Sequence, residues 1–191
     1  KDFQIEKITN LDKLTLTKMG EDYIQAIKKI SNNSQKVTDK LPVNFKWIGF
    51  IKLILPKSKI IHCVRNSKDN CLSIFKNYFA GRLDFSYDLN EIVEYYNIYK
   101  DLMKFWHSMM PNFIYDIQYE SLIKNQENEI KKVLKFCNLK WNDKCLLFHK
   151  NKRAIKTASA VQARKPIYKS SVEGWKNYEK YLKSHFEKLI D

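Results

Sequence analysis

In HCVRNSKDNCLSIFKNYF, residues 62–79, an apolar run ends on Arg65, a polar turn follows, and Ser73 sits on the second turn of the amphipathic segment beyond it. An arginine at a strand end beside a helix start is suited to hold a phosphate. Its planar fork matches phosphate oxygens. The helix N-terminus adds free N–H groups and the positive end of a dipole, and the Ser73 hydroxyl can donate one more bond. The competing reading is a strand-end arginine in a surface ion pair and a helical serine bonded to its own backbone. Thr38-Asp39-Lys40-Leu41-Pro42 is a second junction of this kind, where Lys40 points into the same crevice or simply into solvent. Tyr119-Glu120-Ser121-Leu122 follows another apolar run. Thr157-Ala158-Ser159-Ala160 and Arg164-Lys165-Pro166-Ile167-Tyr168 belong to a polar, basic stretch without periodicity, and a loop of that length in a compact domain is often functional.

The elements that must position these residues follow from periodicity. Met19, Tyr23, Ile27 and Ile30 recur at helical spacing and predict a helix over 18–30. A short strand over 36–38 leads to Lys40, and a helix runs from about Asn44 to Leu55, stopped by Pro56. Residues 59–64 form a buried strand, and the helix after it starts near Ser67. Asp88 and Glu91 make a capping box for a long helix striped by Leu89, Ile92, Val93, Tyr96, Tyr99, Met103 and Trp106. Residues 113–118 give a third strand, residues 119–139 a helix, and Ser170 with Glu173 a further capping box before Trp175. Strands alternating with helices predict an α/β domain with a parallel sheet. Ligands of such sheets bind beyond the carboxyl ends of the strands, which directs attention to Lys40, Arg65 and Tyr119. The three strands are expected to be parallel, with Lys40 and Arg65 near the same edge.

Composition narrows the classes. At 191 residues and 44% hydrophobic content the chain can bury a core. Residues 48–55, the most apolar stretch, are interrupted by Lys52 and too short to span a bilayer. No signal peptide is visible, which predicts a cytoplasmic protein. The net charge of +14 invites nucleic acid. Yet only four of the 35 basic residues are arginine (Arg65, Arg82, Arg153 and Arg164), so the lysines read as a solvated surface and no specific nucleic-acid partner is expected. The four cysteines form no CxxC pair and read as buried free thiols. The four histidines are scattered without an HExxH pattern, and no metal is expected.

Three ordered stretches carry a resemblance: VTDKLPVNFKWIGFIKLILPKSKIIHCVRNSKDNCLSIFKNYF, then IQYESLIKN, then NKRAIKTASAVQARKPIYKSSVEGWKNYE. Together they resemble the sulfotransferases that follow tetratricopeptide repeats in bacterial proteins, relatives of the tyrosylprotein sulfotransferases. The resemblance covers nearly the whole chain. It implies a single domain over 1–191 with a P-loop nucleotide-kinase-like parallel sheet flanked by helices. It implies sulfuryl transfer from 3′-phosphoadenosine-5′-phosphosulfate (PAPS) to a hydroxyl acceptor, leaving 3′-phosphoadenosine-5′-phosphate, without a metal. The family's 3′-phosphate clamp falls on Arg65 and Ser73, its catalytic lysine on Lys40, and its adenine-side tyrosine on Tyr119. Its nucleotide-covering segment runs from Ser159 through Tyr168 and includes Gln162 and Lys165.

The chain departs from the family in three places. The Gly-Thr-Thr phosphosulfate loop and the acidic general base after the first strand are absent, and both are expected upstream of Lys1, along with an upstream tetratricopeptide-repeat region. The chain is therefore expected to be an N-terminally incomplete domain that lacks its first strand and transfers sulfate poorly. Gly174 stands where relatives often carry a basic residue, with Lys176 nearby. Asn77 stands where the tyrosylprotein enzymes have a basic residue, next to Lys76. Three rivals remain: a nucleotide-binding remnant without catalysis, a basic nucleic-acid-binding protein, and a P-loop kinase, for which no GxxxxGK[ST] is present.

Overall fold

The structure, a computed structural model, describes residues 10–32, 34–79, 83–151 and 162–190. The chain divides into two compact units, Lys1–Ser58 and Lys59–Asp191.

In the first unit, helix α1 spans Lys13–Ile30. Asp12 opens it by accepting the Thr15 N–H at 2.7 Å, and that bond holds the Asp12 carboxyl below its ordinary range. A 3₁₀ turn, Pro42–Trp47, starts on its proline and runs into helix α2, Ile48–Ile54. The two helices pack at Gly20, where a Cβ would stand 2.0 Å from the Ile54 carbonyl oxygen. Residues 36–38, predicted as a strand, form no ladder among the described residues and run as a bend followed by irregular chain. Val37 is their one aliphatic side chain and is 45% exposed, so the stretch has no apolar face to bury.

The second unit is mixed α/β, with helices around a small parallel sheet. Among the described residues that sheet has two strands, β1 (Ile60–Val64) and β2 (Ile114–Gln118), in register from Ile60 opposite Ile114 to Val64 opposite Gln118. The crossover carries α3 (Ser67–Phe75) and α4 (Leu89–Met109). Asp88 caps α4 as expected, accepting the N–H groups of Asn90 at 2.7 Å and Glu91 at 3.1 Å. Beyond α4, Asn112 turns in the left-handed region at φ 65°. The core forms where α3 and α4 meet the C-terminal helix: Cys71, Leu72, Ile92, Val93, Tyr96, Leu182 and Phe186.

Three further expectations are corrected by the second unit. Residues 119–139 are not one helix: α5 (Tyr119–Lys124) and α6 (Gln126–Phe136) are separated by Asn125, which leaves helical geometry and caps α6 with its own side chain. The Ser170–Glu173 capping box does not form either. Glu173 adopts the left-handed region at φ 58°, a 3₁₀ turn follows over Gly174–Tyr178, and only then does α7 run, Glu179–Phe186. The cause is Asp69, buried on the first turn of α3. It accepts the Glu173 N–H at 2.7 Å and the Trp175 N–H at 3.0 Å, so those backbone donors are already used. Cys63 is exposed rather than buried, while Cys71 lies in the core.

Candidate functional site

Both strands of the second unit end at one edge, and each hands over directly to a helix. β1 ends at Val64, and Arg65-Asn66 leads into α3. The Asn66 side chain caps that helix by accepting the Asp69 N–H at 3.1 Å. β2 ends at Gln118 and Tyr119 opens α5. Glu120 ties the two turns together, accepting the Asn66 N–H at 2.9 Å. An open crevice of about 410 Å³ lies over this edge, lined among others by Arg65, Asn66, Tyr96, Lys100, Gln118 and Glu120. It sits beyond the carboxyl ends of two parallel strands, the usual place for a ligand in such a sheet.

Arg65 is the centre of this edge. Its guanidinium lies 5.3 Å from the centre of the Tyr119 ring, a cation–π distance. Its Nη2 donates to the Ser171 carbonyl at 2.6 Å, and the Ser171 hydroxyl shares a 2.8 Å hydrogen bond with the Tyr119 hydroxyl. Its Nε is buried and has no hydrogen-bond partner among the described residues. A buried N–H left unpaired is costly, so this atom marks a place where an acceptor would be stabilised.

The fold therefore brings Arg65 and Tyr119 together, with Ser171 as a third member that sequence reading missed. Ser73 is half-buried on α3 and is not among the residues lining the crevice; its carbonyl accepts the Asn77 amide at 2.6 Å. Gln162 belongs to a 3₁₀ turn, Gln162–Arg164, next to Asp143–Lys150. Lys165 is exposed and Tyr168 half-buried on the chain that leads to Ser171. Ser159 lies outside the described residues. Lys40 belongs to the first unit and is exposed; its neighbour Asp39 accepts a 2.6 Å hydrogen bond from the Tyr23 hydroxyl.

A model of the sulfotransferase family matches residues 3–143. The chain belongs to the sulfotransferase family. The match takes in Lys40, Arg65, Ser73 and Tyr119 and ends before Ser159. The chain is also similar to an uncharacterized protein of Aquifex aeolicus (strain VF5), 39% identical over 180 residues, which are 93% of this chain and 24% of that protein. It thus spans about a quarter of the length of the curated relative it matches. Among the described residues, no helix is long and apolar enough to cross a membrane.

A second polar cluster was not foreseen. His62 on β1 and Asp116 on β2 are register partners, and the Nδ1–H of His62 donates to Asp116 Oδ1 at 2.8 Å. His107, near the end of α4, donates from Nε2 to the same oxygen at 3.1 Å. The far nitrogen of His62 is hydrogen-bonded to the Tyr99 hydroxyl. Burial tends to raise the Asp116 pKa, but the hydrogen bond and charge of His62, with those of His107, pull it below its ordinary value. Tyr99 is pushed up to about 12 by burial and by the Asp116 charge. The histidines are far apart in sequence, and only the strand register with the length of α4 makes them meet.

Proposed function

We propose that residues 1–191 form a sulfotransferase domain that takes PAPS as donor and a hydroxyl group as acceptor. The observation that carries the proposal is the buried, unpaired Nε of Arg65 at the carboxyl edge of a parallel strand pair, in a chain of this family. An arginine with a buried, unpaired Nε beside a helix start is an acceptor-seeking cation, and a phosphate monoester offers acceptors in matching geometry. In this reading Arg65, with Ser73 on the following helix, holds the 3′-phosphate. Tyr119 stands beside the adenine, and Lys100 adds a second positive charge to the crevice. Ser159, Gln162, Lys165 and Tyr168 come from the segment that covers the nucleotide.

The transfer itself needs little beyond positioning and charge stabilisation. The acceptor hydroxyl oxygen attacks sulfur in line and gives up its proton to a general base or to water, the bond from sulfur to the bridging phosphate oxygen breaks, and 3′-phosphoadenosine-5′-phosphate leaves. Lys40 is assigned the developing charge on that bridging oxygen. Binding energy from the remote 3′-phosphate fixes the donor for this step.

The test compares adenosine 3′,5′-bisphosphate with adenosine 5′-phosphate by calorimetry. The bisphosphate should bind more tightly. Arg65→Ala should remove most of that preference, at a cost of roughly 1.5–3 kcal/mol for a charge-assisted bond. Equal affinity for the two nucleotides in the parent chain would reject the donor assignment. An unchanged preference in Arg65→Ala would reject the clamp. Binding that instead falls steeply with salt and ignores the 3′-phosphate would favour the nucleic-acid reading of the +14 charge.

A further inference from the structure

We propose that His62, His107 and Asp116 form a binding site for a first-row transition-metal dication of the zinc class, separate from the Arg65 crevice. The three ligand atoms lie within 4.8 Å of one another. Two of the separations are 2.8 Å and 3.1 Å, both onto Asp116 Oδ1. A tetrahedral zinc ion with bonds of about 2.0–2.1 Å needs ligand atoms roughly 3.3 Å apart. The two separations onto Asp116 Oδ1 have to open by only a few tenths of an ångström, while the two imidazole nitrogens, within 4.8 Å of each other, settle toward the same spacing of roughly 3.3 Å through a small swing of the half-exposed His107 ring. The carboxylate oxygen is already shared between the two imidazoles, so the metal takes the place of their N–H groups.

The surroundings suit a ligand set as well. A metal-bound histidine usually hands its other ring N–H to a hydrogen-bond partner that fixes its orientation. His62 has that partner in the half-buried Tyr99 hydroxyl. With Nδ1 bearing its proton, as now, Nε2 accepts from Tyr99. With Nδ1 on a metal, the proton moves to Nε2 and the Tyr99 oxygen accepts it. A hydroxyl serves both states without moving.

The donor set selects the ion. Two imidazoles and one carboxylate favour zinc, nickel, copper or iron over magnesium or calcium, which prefer oxygen. His62 is only 14% exposed at its side chain, whereas His107 and Asp116 are 38% and 40% exposed, so a fourth position faces solvent. Cys63 is adjacent to His62 in sequence but alternates to the opposite face of β1, which excludes its thiol. The ligands come from β1, β2 and α4, so a bound ion would clamp α4 to both strands three residues before Arg65.

The test is competition between the 191-residue chain and a chromophoric chelator for Zn²⁺. One site per chain is expected, with affinity in the micromolar range or tighter. His107→Ala and Asp116→Asn should each weaken it at least tenfold, while Cys63→Ser should leave it unchanged. Co²⁺ in the parent chain gives a readout that does not depend on how the variants fold. Visible ligand-field bands without thiolate-to-cobalt charge transfer support the N₂O site. Thiolate charge transfer, unaltered affinity in a folded His107→Ala chain, or no stoichiometric binding by the parent chain would each overturn it.

Discussion

Asp69→Asn is the sharpest test of how the candidate site is held together. The parent carboxylate is 3% exposed and accepts two backbone N–H groups from chain more than a hundred residues away, Glu173 at 2.7 Å and Trp175 at 3.0 Å. Asparagine keeps the shape but offers one oxygen and one NH₂. One of the two backbone donors must then face another donor. Losing a charge-assisted bond costs about 1.5–3 kcal/mol, and demoting the second to a neutral bond costs about 1 kcal/mol more. We expect a total near 3 kcal/mol, or a fall in Tm of about 6–12 °C for a chain of this size. Thermal melts followed by circular dichroism measure the total, and amide hydrogen exchange at Glu173 and Trp175 locates it. Those two amides should lose protection first. The reasoning fails if Asp69→Asn melts within about 2 °C of the parent, or if the two amides keep their protection while the rest of the unit loses it.

Two further outcomes are expected from the first unit. Gly20→Ala should destabilise it by about 1–3 kcal/mol, despite alanine's advantage of about 1 kcal/mol in helix propensity, because the new Cβ would stand 2.0 Å from the Ile54 carbonyl oxygen; a stabilised melt would refute the packing. Tyr23, pushed up to about 12 by its hydrogen bond to Asp39, then by burial and the Asp39 charge, should ionise late in an ultraviolet pH titration. Its contribution to stability is complete below the ordinary tyrosine value of 10.0 and fades as pH rises from there through about 12; Asp39→Asn should bring the titration back toward 10.

What the sequence disclosed was the part governed by local periodicity. β1 and β2 are short apolar runs between breakers, and α3 and α4 begin at Asn66 and Asp88, residue types that cap helices. Arg65 and Tyr119 were placed correctly at strand ends because a strand-to-helix handover is a local pattern. The strand over 36–38 was not, since one exposed valine gives a run no face to bury. Ser170 and Glu173 had the spacing of a capping box, but long-range hydrogen bonds to Asp69 overrode it. The Asp69 contacts and the meeting of His62 with His107 depend on packing between distant segments.

The Ser171 carbonyl adds a consequence for any anion that approaches Arg65. It takes one N–H of the guanidinium at 2.6 Å and leaves the Nε unpaired. If a phosphate needs only the free donor, Ser171 stays and the Tyr119 hydroxyl stays with it. If it needs two parallel N–H bonds, the usual arginine–phosphate geometry, and one of them is the bond now held by Ser171, that carbonyl must give way. Ser171 is two residues from Glu173, which Asp69 fixes to α3, so releasing the carbonyl works against those bonds. Affinity for the 3′-phosphate is then reduced by whatever the release costs, tenfold for each 1.4 kcal/mol. Asp69→Asn separates the two cases. A loosened segment should leave bisphosphate affinity unchanged or lower it in the first, through loss of order, and raise it in the second, with the preference over adenosine 5′-phosphate growing in step.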